Sequence, residues 1–106
     1  MRKFAAAVAL VGVFSFVVGG VAWAAKAPNE EAIEHTKEAI EHGKAGHADV
    51  LTKHAEMALK ITMAEKGEHA AEAAKHLQGA VDAGKKGDAA GGTKHAQEAL
   101  THLQAK

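Results

Sequence analysis

The apolar positions of this chain recur at intervals of seven residues between residues 33 and 103. The pairs that mark this period are Ile33 and Ile40, Leu51 and Ala58, Ala74 and Val81, and Ala96 and Leu103. A period of seven places side chains on one face of an α-helix, whereas a half-buried strand alternates with a period of two. No stretch alternates convincingly, so the pattern predicts an all-α domain.

Glycine-containing segments divide this region into helices. The breaks are Gly43-Lys44-Ala45-Gly46, Lys66-Gly67 and Gly84-Lys85-Lys86-Gly87. They leave four predicted helices, at residues 29–43, 47–66, 68–84 and 88–105. Asn29 is the expected N-cap of the first helix, because acidic residues follow it directly. Short links force neighbouring helices to run antiparallel, which predicts an antiparallel up-down-up-down four-helix bundle.

The helical region also repeats itself at an interval of 41 residues. The corresponding pairs are Gly43 and Gly84, Gly46 and Gly87, His35 and His76, and His54 and His95. The bundle is therefore expected to consist of two tandem helical hairpins. The sequence allows the fourth helix to begin before or after Gly91-Gly92, and a start at Thr93 would displace His95 from the level of His76.

Residues 1–24 have the composition of a secretory signal peptide. A positively charged start is followed by an almost unbroken apolar run over residues 4–18, and Ala22-Trp23-Ala24 supplies small residues at the cleavage spacing. We expect cleavage after Ala24, export to the periplasm and a mature domain of residues 25–106. The alternative is an uncleaved membrane anchor, because the apolar stretch approaches the roughly 20 residues that span a bilayer.

Composition narrows the function of the mature domain. The chain has 13 basic and 13 acidic residues, and this even balance argues against a nucleic-acid partner. It has no cysteine, which excludes disulfides, thiolate metal ligands and c-type haem attachment. Beyond the signal there is no serine, His-Glu-x-x-His element or phosphate-binding loop, so we do not expect an enzyme. Since cleavage removes the apolar run, we also do not expect the mature domain to bind a membrane.

The eight histidines are the most informative feature of the composition. Each predicted helix carries two of them seven residues apart: His35 and His42, His47 and His54, His69 and His76, and His95 and His102. Seven residues span about 10.5 Å of helix, too far for two nitrogens to share an ion with bonds of roughly 2 Å. Folding at the glycine turns instead predicts four cross-helix pairs, namely His35/His54, His42/His47, His76/His95 and His69/His102.

Carboxylates accompany these histidines. Five histidines have a glutamate four residues before them: Glu31 precedes His35, Glu38 precedes His42, Glu65 precedes His69, Glu72 precedes His76 and Glu98 precedes His102. Side chains at this spacing are neighbours on a helix surface. When the residues of each helix are assigned to the positions of a seven-residue repeat, the histidines flank the alanine-rich apolar face. We therefore expect them to border the seams between helices, within reach of water. Two imidazoles and one carboxylate suit Cu(II), Ni(II) or Zn(II), with Cu(II) bound most tightly.

The histidine-rich helices resemble the small metal-binding protein family of bacterial periplasms, first recognised for copper binding. The segments that carry the resemblance are "EHTKEAIEH", "HADVLTKHAEMAL", "EHAAEAAKHLQGAV" and "TKHAQEALTHL". The resemblance implies a four-helix bundle that binds several divalent ions, preferring copper, for metal buffering or tolerance. The two hairpins differ, since Ala83 and Asp88 replace His42 and His47 in the second repeat.

Two other functions are compatible with these residues. One is a b-type haem-binding bundle in which a histidine and Met57 or Met63 are the axial ligands, although the core is mostly alanine. The other is a periplasmic chaperone or stress scaffold with incidental histidines. The simplest interpretation of the two methionines is that they fill the core, and a thioether role toward Cu(I) is the alternative.

Overall fold

A computed structural model describes residues 27–105 of the protein, which form four α-helices. They are α1 (Pro28–Lys44), α2 (Ala48–Met63), α3 (Glu68–Lys85) and α4 (Ala89–Gln104). Residues 27–105 contain no strand, so the all-α prediction is confirmed. None of these helices is both long enough and apolar enough to cross a membrane. The predicted signal peptide, residues 1–24, lies outside the described part of the chain.

Helix boundaries fall within one residue of the predictions except at the end of α2. This helix ends at Met63 and not at residue 66. The N–H groups of Ala64 and Glu65 donate to carbonyls three residues earlier, at 3.1 and 3.0 Å, which tightens the final turn. The chain then reverses through Gly67, whose φ of +109° is readily adopted only by glycine.

The first residues of α1 and α4 test two predictions about where these helices begin. The prediction that Asn29 caps α1 is wrong: Ala27 is the N-cap and Pro28 is the first helical residue. Proline suits this position because its φ is already helical and it lacks an N–H that would be unpaired there. Helix α4 begins at Ala89, before the two glycines, because the Asp88 side chain accepts a hydrogen bond from the backbone N–H of Gly91 at 2.8 Å.

The two hairpin turns have the same backbone structure. Gly46 and Gly87 adopt positive φ values of +85° and +80°. The N–H that follows each glycine donates to a carbonyl five residues earlier: His47 to His42 at 2.8 Å, and Asp88 to Ala83 at 2.9 Å. This pairing closes a Schellman turn. The 41-residue repeat is therefore also a repeat of structure.

The four helices pack as a bundle around a narrow core. Helix α1 contacts α2 and α4, α3 contacts the same two helices, and α2 also contacts α4. Most of the buried apolar positions are alanines, and the largest fully buried apolar side chains are Leu51 and Leu77. The buried hydroxyls of Thr36 and Thr62 donate to carbonyls four residues earlier at 2.7 Å, so they need no partner from another helix. A core of such small side chains buries little apolar area for its length.

The prediction that Met57 and Met63 fill the core is wrong. Their exposed fractions are 41% and 67%. The buried face of α2 consists of Leu51, Ala55, Ala58 and Thr62. Because this stripe follows the helical period, the two methionines lie outside it.

Candidate metal-binding site

The histidines of α1 and α2 form a continuous row along the seam between these helices. From the turn outward, the row alternates between helices in the order His47, His42, His54, His35. Successive ring centroids are 6.0, 5.6 and 5.6 Å apart. The rings of His42 and His54 are nearly parallel, with an interplanar angle of 3°. Both histidine pairs predicted across this seam are therefore neighbours.

A second row follows the seam between α3 and α4. Its order is His95, His76, His102, His69, and the centroid separations are 6.1, 5.4 and 5.7 Å. It begins one heptad further from its turn than the first row, because alanine and aspartate occupy the positions nearest the turn. Both pairs predicted across this seam are also neighbours. Each hairpin thus presents four imidazoles in a zigzag.

The first row contains a compact cluster of His35, Glu38 and His54, which we call the α1–α2 group. The two Nδ1 atoms lie 3.3 Å apart. The Oε1 atom of Glu38 lies 3.5 Å from Nδ1 of His35 and 3.1 Å from Nδ1 of His54. The four-residue spacing predicts that Glu38 accompanies His42 on the same helix. The structure instead turns it toward His35, three residues earlier, and across the seam.

These separations match the donor spacing of a metal site. Donors bonded at about 2.0–2.1 Å, with angles of roughly 90–110° between them, lie about 2.9–3.4 Å from one another. The three separations in the α1–α2 group, 3.3, 3.5 and 3.1 Å, fall in or next to this range. A divalent ion would need only small side-chain adjustments there.

The second row contains a related cluster of His76, His95 and Glu98, the proximal α3–α4 group. Glu98 Oε1 lies 3.1 Å from His76 Nδ1 and 3.7 Å from His95 Nδ1. The Nδ1 atom of His95 is buried and makes no hydrogen bond with another described residue. An unpartnered buried nitrogen beside a carboxylate and a second imidazole is a donor that a metal ion would satisfy.

The carboxylate comes from different helices in the two hairpins. Glu38 of α1 corresponds by the repeat to Gly79 of α3, and Glu98 of α4 corresponds to Met57 of α2. A β-carbon on Gly79 would lie only 2.9 Å from His95 Nδ1, so the glycine provides space for that ring. Sequence reasoning missed Gly79, although its replacement of a glutamate in the repeat was a visible signal.

A third cluster, the distal α3–α4 group, consists of Glu72, His76 and His102. Glu72 is next to His76, as the four-residue spacing predicts. The second imidazole comes from His102, whose ring stacks on that of His76 at 5.4 Å with an angle of 11°. In all three groups the ligand atoms lie within 4.8 Å of one another.

The remaining predicted ligands lie outside these groups. Glu65 lines a cavity of about 240 Å³ together with His69 and His102, whose Nδ1 atoms are 3.5 Å apart. Glu31 lies in the first turn of α1 and belongs to none of the three groups. His42 and His47 are neighbours in the first row but likewise belong to no group.

The grouped histidines are accessible from water yet partly shielded. Among the four that lie near Glu38 or Glu98, side-chain exposures range from 19% for His54 to 44% for His95. Burial lowers the pKa of His54 below its ordinary value, against the opposing effect of Glu38, and the neighbouring His35 and His42 lower it further. The neutral ring, which is the form that binds metal, is therefore favoured at this position.

Comparison with known proteins adds one finding. The sequence model of the family described as small metal-binding protein matches residues 1–106. The match spans the described helices and the residues that precede them. Comparison with curated proteins gives no match.

Proposed function

The chain belongs to the small metal-binding protein family, and from this premise we propose that it is a periplasmic protein that binds divalent metal ions, copper(II) above all. Its proposed role is to buffer or sequester them, without catalysis. The observation that carries the proposal is the presence of three groups, each with two imidazoles and one carboxylate within 4.8 Å of one another. We propose that residues 1–24 direct export and are then removed.

The donor chemistry supports copper(II). Imidazole nitrogen and carboxylate oxygen together favour divalent ions of intermediate softness. For such a site the affinity order places Cu(II) above Ni(II) and Zn(II), both of which we also expect to bind. Each group leaves coordination positions for water, which suits exchange of the ion.

We further propose that the helices run up-down-up-down. His42 contacts His47 beside the first turn, and His35 contacts His54 seven residues further along each helix. This order of contacts is the one that two antiparallel helices produce. An ion in the α1–α2 group would therefore link two helices whose shared core consists mainly of small side chains.

Isothermal titration calorimetry tests the proposal. Purified protein should bind more than one Cu(II) ion with micromolar or tighter affinity at pH 7.5. The binding should be lost at pH 5.5, because imidazole protonates below about pH 6.5. His54→Asn should remove one ion, whereas Lys53→Gln, at the exposed position before it, should remove none. Absence of binding heat at both pH values would contradict the proposal and favour the scaffold function.

A further inference from the structure

His76 is a member of two different ligand groups. In the proximal group its Nδ1 atom lies 3.1 Å from Oε1 of Glu98. In the distal group it is combined with Glu72 and His102, whose ring stacks on its own. The α1–α2 group shares no member with another group, so the two hairpins are not equivalent.

A shared histidine limits how many ions the hairpin can hold. A neutral imidazole has one nitrogen lone pair, and the other nitrogen carries a proton. His76 can therefore coordinate only one ion at a time, whichever nitrogen it uses. Binding two ions would require loss of the second ring proton, which neutral imidazole retains at neutral pH.

We propose that the α3–α4 hairpin holds a single ion in two alternative positions, and that the ion moves between them while His76 stays bound. This proposal rests on the proposed metal-binding function. In one position the other ligands are His95 and Glu98, and in the other they are His102 and Glu72. The α1–α2 hairpin, by contrast, holds its ion in one position.

The geometry favours such movement. All ligand atoms in each group lie within 4.8 Å of one another, and both groups include the same ring. The two positions are therefore only a few ångströms apart. An ion that exchanges one carboxylate and one imidazole for another such pair keeps the same types of donor atom and the same charge around it. The distal position lies further from the turn, next to the cavity lined by Glu65, His69 and His102.

The test counts the ions bound by a protein whose α1–α2 group has lost a histidine ligand. We take His54→Asn as the parent variant and add His76→Asn, His95→Asn or His102→Asn, alone or in combination. Calorimetry with Zn(II) at pH 7.5 should show one bound ion for the parent, and also one for the parent that carries either His95→Asn or His102→Asn. It should show no bound ion for the parent that carries His76→Asn, or for the parent that carries both His95→Asn and His102→Asn.

Controls separate this proposal from general metal binding and from misfolding. Helical circular dichroism verifies the fold of each variant, and Lys94→Gln, at an exposed position beside His95, should still bind one ion. Two ions in the parent would overturn the proposal, as would loss of the ion on adding His95→Asn alone or His102→Asn alone. Failure of metal binding as a whole would instead appear as no binding by the wild-type protein.

Nuclear magnetic resonance gives a second measurement that does not depend on variants of His76. During titration of the parent with Zn(II), the ring signals of His95 and His102 should both shift before one equivalent has been added. A response from only one of these rings up to one equivalent would show a single fixed position and would contradict the proposal.

Discussion

Metal binding should stabilise the helical bundle by an amount that the structure allows us to assign to individual sites. An ion in the α1–α2 group takes ligands from two helices, so it binds the folded protein and has no preformed site in the unfolded chain. At a free concentration of 100 times its dissociation constant, one such ion stabilises the fold by about 2.7 kcal/mol. For a helical domain of this size, 1 kcal/mol corresponds to roughly 4–8 °C in melting temperature.

One occupied site should therefore raise the melting temperature by about 10–20 °C. If each hairpin holds one ion, His54→Asn should roughly halve the total increase. The variant keeps the α3–α4 ligands, so the rest of the increase should remain. Lys53→Gln should leave the full increase in place, because its exposed side chain belongs to none of the three groups.

The assay is thermal unfolding followed by circular dichroism at several free Zn(II) concentrations, with chelator as the metal-free reference. Zinc avoids the redox chemistry of copper. A metal-induced increase in His54→Asn equal to that of the wild type would refute the assignment of this ion to the α1–α2 group. A melting temperature that is independent of metal in the wild type would refute stabilisation by metal altogether.

Three further predictions concern single residues. Burial lowers the pKa of His54 in the folded protein, so the stability linked to its neutral ring should be present above about pH 6.5 and be lost as the pH falls through the lowered folded-state pKa. Melting curves of the metal-free protein from pH 8 to 5 should therefore show a smaller decrease in melting temperature for His54→Asn than for the wild type. Gly79→Ala should displace the ring of His95, since the new β-carbon would lie 2.9 Å from Nδ1, and during titration with Zn(II) the ring signal of His95 should shift less than in the wild type, with helicity retained. Gly43→Ala should destabilise the bundle by about 1–3 kcal/mol in urea unfolding, because its β-carbon would approach within 2.5 Å of Leu51.

The helices and the histidine pairs could be predicted because both depend on local periodicity. A heptad pattern and two glycine turns determine which residues of a hairpin lie at the same level. Helix capping was less predictable. Pro28 displaced the expected cap from Asn29, and Asp88, noted only as a missing histidine, proved to be the cap that starts α4 before Gly91-Gly92.

The identity of the third ligand could not be predicted from spacing alone. Residues three and four positions apart on a helix are both neighbours, so Glu38 was equally able to face His35 or His42. The position of His54 across the seam decides between them, since its Nδ1 lies 3.1 Å from the Glu38 carboxylate. In the same way, the stacking of His76 on His102 depends on the relative placement of α3 and α4.

The placement of the methionines could not be predicted from hydrophobicity. Met57 and Met63 are among the larger apolar residues of α2, yet its buried face consists of Leu51, two alanines and Thr62. The close approach of helices through small residues leaves little space for long side chains in the core.

Pulsed electron paramagnetic resonance of the Cu(II)-loaded protein tests the central claim most directly, because it counts the imidazoles bound to each ion. Each of the three groups contains two histidines from adjacent helices. We therefore expect nitrogen couplings from two imidazoles per copper at pH 7.5, in the wild type and in Lys53→Gln. Spectra with one imidazole per copper, or with none, would contradict it.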